Sequence, residues 1–144
     1  MSEQGANAGE EFEIEAGGEL LWRQINPAFV DGGKVTSQAF TPTEKDEGEL
    51  STNRSSKVTA EAAFRHYTEI QGLKSVGVYA VSVDEVLGVE LRAIDDSATE
   101  EGAKSPGHAY IDFKHIEATK RRKKIGGKLR DLAEPRGWQH GPVD

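Results

Sequence analysis

The chain has 144 residues, 35% of them hydrophobic and 30% charged, a net charge of -7 and no cysteine. This length fits one domain, and the missing thiol excludes disulfides, thiolate zinc sites and a cysteine nucleophile. No run approaches the roughly 18 apolar residues of a membrane span. With no basic and apolar leader at its start, the chain is expected to be soluble and cytoplasmic, without membrane association.

Residues 1–19 hold six glutamates and no basic residue. Such a composition buries too little apolar surface to offset its ordering entropy and predicts an acidic disordered tail, with Phe12 and Ile14 hinting at a short strand. A compact domain over 20–138 and a C-terminal tail over 139–144 are expected to follow. Leu20 to Ile25 reads as a strand ended by the Asn26-Pro27 turn signal. Lys34 to Phe40 alternates as a half-buried strand does, and Leu50-Ser51 reads as a short strand or its end. Thr59 predicts an N-cap for a helix over Ala60 to Gln71, with Glu61 in the first turn and Gly72 as the stop.

Val76 to Val83 is rich in β-branched residues and predicts a central strand. Asp84 to Leu87 suits a single helical turn, and Val89 to Ile94 another strand. A long loop spans Asp95 to Gly107, His108 to Phe113 alternates as a strand, and a last helix covers Ile116 to Ala133 before Pro135. Strands with interspersed helices and no βαβ rhythm predict an α+β fold: one curved, mostly antiparallel sheet with two main helices.

Charge is unevenly divided: from Ile111 onward the chain carries +4, and everything before it -11. The run Lys120, Arg121, Arg122, Lys123 and Lys124, continued by Lys128 and Arg130, has two readings. One is phosphate or RNA contact, and the other is a solvated helix facing acidic neighbours. Gly126-Gly127 is expected to weaken that helix by about 1 kcal/mol each relative to Ala. The four histidines lack metal-site spacing, so no metal is expected. His108 and Asp112, both at even positions of one strand, form a candidate pair.

No phosphate-binding glycine loop or serine-hydrolase elbow is present, and no complete catalytic motif closes. The polar segment Val35 to Pro42 and the stretch Leu50 to Arg54 are the places where binding would sit. Arg23, a charge within an apolar strand, needs a ligand or a partner such as Asp46 or Glu49. Ser37, Gln38 and Ser51 offer neutral donors, Phe40 a stacking surface, and Arg54 a fork for an anion. These six residues form the candidate binding set.

The series Leu21 to Pro27, Ser37 to Pro42, Leu50-Ser51 and Ala60 to Ala63 resembles a group of small uncharacterised bacterial proteins. That resemblance implies a bacterial cytoplasmic origin and no activity; the residues themselves favour a small binding protein acting with a protein partner or a nucleotide-like anion, with no cofactor. The order Arg23, Gly32-Gly33, Leu50-Ser51, Ala-rich helix is also similar to ADP-ribosyltransferase-like domains of the RES type. This second likeness implies NAD as substrate, with Arg23 on its phosphates, Ser51 at the ribose and Glu61 or Glu69 as the acid.

Overall fold

The computed structural model describes residues 9–143 of the chain. Eight strands form among the described residues: β1 (Phe12–Glu13), β2 (Leu20–Gln24), β3 (Val30–Asp31), β4 (Lys34–Val35), β5 (Glu49–Arg54), β6 (Val78–Ser82), β7 (Arg92–Asp95) and β8 (His108–Asp112). Three α-helices accompany them: α1 (Ala60–Arg65), α2 (Val83–Gly88) and α3 (Thr119–Ala133). Six strands make one sheet in the order β1-β7-β8-β5-β2-β6, every pair antiparallel, while β3 and β4 form a separate hairpin. The fold is α+β, as the pattern of elements predicts.

Alternation along the strands divides apolar side chains between two faces. Leu21, Tyr79, Val81 and Ile111 join α2 and α3 in the main core, which also takes Phe40, Phe113 and Leu129. On the other face Trp22, Val78 and Ala80 pack with Ala60 and Ala63 of α1. Thr59 caps α1 by accepting from the Ala62 amide, as its position predicts. The helix then widens into a π-type turn over His66–Ile70.

Three expectations are corrected by packing. Lys34 to Phe40 is strand only at β4; Ser37–Phe40 coils into a 3-10 turn, because Ala39 and Phe40 both enter the core beneath α3. Strand β6 lies at the end of the six-strand order rather than at its centre, and residues 139–143 dress its outer edge. The Gln139 and Val143 amides donate to the Val78 and Val76 carbonyls, so this stretch is no free tail. Gly126 lets α3 approach closely, since a Cβ there would overlap Thr41 Oγ1 and press on the Phe40 carbonyl. The weakening expected from Gly126-Gly127 is the local cost of that contact.

Residues 1–8 of the predicted acidic tail lie outside the described residues. From Gly9 the segment docks: β1 pairs with β7, Ile14 is buried, and Glu11 accepts from the Tyr110 hydroxyl. Glu19 binds Arg54 through two nitrogens at 2.7 and 3.0 Å. Arg54 also reaches Asp95 at 2.8 Å, as does Lys57. Charge neutralisation supplies what the acidic segment lacks in apolar area.

Asp95 is fully buried. Burial pushes its carboxyl up, but hydrogen bonds from Lys57, Ser97 and Arg54 outweigh burial and hold it at about 2 against an ordinary 3.8. A depressed native value contributes stability above the unfolded value and loses it as pH falls. The contribution, about 2 kcal/mol, should be complete above pH 4 and vanish towards pH 2. Urea midpoints across that window should fall in the parent and fall less in Asp95→Asn; equal slopes would refute this assignment.

Candidate functional site

Strands β2 and β5 pair only at Leu21↔Arg54 and Trp22↔Asn53. Beyond that point they diverge, and the gap opens into a cavity of about 380 Å³ lined by Arg23, Gln24, Ser51, Asn53, Tyr67, Gln71 and His108. The Arg23 side chain fills the gap in the ladder, with Nε donating to the Ala39 carbonyl at 2.6 Å and Nη1 to the Ser51 carbonyl at 3.0 Å. Two of five guanidinium N–H groups are thereby spent, and three remain for the cavity.

No carboxylate among the described residues forms an ion pair with Arg23. Asp46 accepts from the Thr43 amide and hydroxyl instead, and Glu49 meets Lys114 at 3.2 Å. Burial lowers the Arg23 pKa from its usual value, opposed through space by Tyr67 and Asp46. A half-buried cation without a direct ion pair keeps donors that an anion can take.

Gln24 adds a second incompletely paired group. The residue is 7% exposed, its Oε1 accepts from Ser75 Oγ at 2.8 Å, and its Nε2 is buried with no partner among the described residues. Either orientation of the amide leaves one polar end unpaired beside the cavity. Sequence reasoning missed this residue, because a glutamine ending a strand carries no spacing signal.

The cavity continues into a neighbour of about 380 Å³ that shares Lys45, Asp46, Ser51, Gln71 and His108 with it and adds Asp96, Glu101 and Lys104. There His108 Nδ1 lies 2.6 Å from Asp96 Oδ1. The predicted His108–Asp112 pair is not formed. Asp112 instead bonds Arg92 at 2.9 Å, which draws it to the β7 side of the sheet.

Of the six predicted binding residues, the structure brings together Arg23 and Ser51. Ser37 and Gln38 line a different cavity, of about 470 Å³, with Thr119 and Arg122. Phe40 is fully buried and offers no stacking surface, because α3 covers the 3-10 turn that carries it. Arg54 is no free fork, since Glu19 and Asp95 occupy it. Glu61 and Glu69 lie outside the lining of the cleft, and Glu69 meets Arg65 at 3.3 Å.

In the basic run, Arg122 and Arg130 donate to backbone carbonyls, while Lys120, Arg121, Lys123, Lys124 and Lys128 are exposed. No helix among the described residues is long and apolar enough to cross a membrane.

Fold and cleft together define an α+β domain with a polar site of mixed charge where its sheet splits, Arg23, Lys45 and Lys104 standing among Asp46, Glu47, Glu49, Asp96 and Glu101. No protein-family model, curated protein or solved structure matches the chain.

Proposed function

We propose that the protein binds a small, nucleotide-like anion in the cleft beside Arg23. The observation that carries this reading is the half-buried guanidinium, held by two carbonyls, with three donors unspent and no ion-paired carboxylate among the described residues. The unpaired amide end of Gln24 supports it, as does the neighbouring Lys45. Tyr67 supplies a ring at the wall, from the π-type turn that follows α1.

The NAD-consuming reading shares this cleft, because Arg23 and Ser51 both line it. It lacks its acid, since neither Glu61 nor Glu69 reaches the lining. A protein partner has less support: Ile70 and Leu73 are exposed at 74% and 48%, and two such side chains fall short of an interface-sized patch.

A thermal-shift and calorimetric panel of inorganic phosphate, AMP, ADP-ribose and NAD tests the proposal, with nicotinamide release followed in parallel. Arg23→Ala should weaken binding about 10- to 100-fold, the worth of a charge-assisted hydrogen-bond set. It should leave stability about level, because it removes a half-buried charge that no carboxylate among the described residues pairs. No ligand shift in the parent, together with clear destabilisation of Arg23→Ala, would make Arg23 structural and sink the proposal.

A further inference from the structure

We infer that the cleft also hydrolyses phosphoanhydride ligands, with His108 as the general base and Asp96 as its positioning residue; this rests on the anion-binding reading. His108 opens β8 directly opposite Asn53 of β5. Asn53 Nδ2 donates to Ser105 Oγ at 2.9 Å and to the Pro106 carbonyl at 2.8 Å, bracing the turn that delivers the imidazole.

Asp96 is braced too. Its carbonyl accepts from the Thr99 amide and hydroxyl at 2.9 and 2.7 Å, and Gly102 packs so tightly that a Cβ would overlap that carbonyl. The side chains of His108 and Asp96 are 18% and 9% exposed.

A carboxylate only accepts, which assigns the proton of neutral His108 to Nδ1 and leaves a lone pair on Nε2. Among the described residues Nε2 makes no hydrogen bond, and the ring lines both halves of the cleft. The basic nitrogen of His108 thus lines the same cavity as a guanidinium that two carbonyls hold and no carboxylate among the described residues ion-pairs. Anion anchor, oriented base and room for water are the parts that in-line attack at phosphorus requires.

In the step, Arg23 and Lys45 hold the phosphoryl oxygens while His108 Nε2 takes a proton from water. The water oxygen forms a bond to phosphorus as the bridging P–O bond breaks. The leaving phosphate departs with the electron pair as an anion, and the imidazolium returns its proton to solvent. No oxidant, reductant or further reactant is needed.

The test uses the full chain with ADP-ribose and NAD, reading AMP formation by chromatography, separately from nicotinamide release and from ligand-induced thermal shift. The parent should release AMP. His108→Gln should lose about 100-fold or more in rate, while keeping the ligand-induced shift. Asp96→Asn should lower kcat with little change in KM, and it carries the test where His108→Gln lowers the Tm. Parent protein that binds these ligands yet forms no AMP overturns the hydrolysis, as does AMP formation unchanged in both variants. Parent protein that binds neither ligand overturns the binding reading and the hydrolysis with it.

Discussion

Replacing Arg54 with alanine should lower the unfolding free energy by about 3 kcal/mol, the low end for breaking a buried ion pair. Arg54 sits between Glu19 and Asp95, with its side chain 14% exposed against 19% and 0% for the partners. Its removal leaves Asp95 fully buried with Lys57 as the remaining cation, and Glu19 with Ser56. Lys57 is 42% exposed and compensates in part. The loss should propagate, because Glu19 ties the segment before β2 to the end of β5, and Asp95 ends β7. Asp95→Asn should remove most of the penalty, so the double variant should be much less than additive. Urea unfolding of the four proteins measures this cycle. A loss under about 1 kcal/mol for Arg54→Ala would return the residue to the role of a spare anion fork.

Arg54 illustrates what was legible in the chain. A guanidinium near a strand end announces an electrostatic role, but only the fold says whether protein or ligand satisfies it. Arg23 and Arg54 look alike in sequence, each an arginine on a short strand. The sheet gives Arg54 two carboxylates and gives Arg23 two carbonyls and a cavity. Local chemistry was readable where the partner is local: the Thr59 cap, the left-handed Gly72 that follows the π-type turn and the end of α3 before Pro135 all follow from neighbouring residues. The His108–Asp96 contact was not, because it closes across a 12-residue loop separation, while strand alternation pointed to Asp112. The acidic segment misled for a related reason. Its composition argues against a core, yet Glu19 and Glu11 are matched by Arg54 and the Tyr110 hydroxyl, which lie far along the chain.

Phe40→Ala should cost about 3–5 kcal/mol, the range for truncating a buried aromatic. The ring is fully buried in the main core, and α3 lies over the 3-10 turn Ser37–Phe40 at the contact Gly126 permits. That turn has no side-chain N-cap, so burial of Ala39 and Phe40 is what fixes its place. Function follows from the same geometry, because the Ala39 carbonyl is the acceptor of Arg23 Nε. Loosening the turn should therefore weaken ligand binding in the folded fraction without touching a cleft residue. Phe40→Leu, which keeps much of the volume, should retain most of both properties. Were Phe40 a stacking surface for ligand, binding would drop at unchanged stability. Urea unfolding beside ligand-induced thermal shifts separates the two outcomes, and a stability change under about 1 kcal/mol would show that the core does not hold the Arg23 acceptor in place.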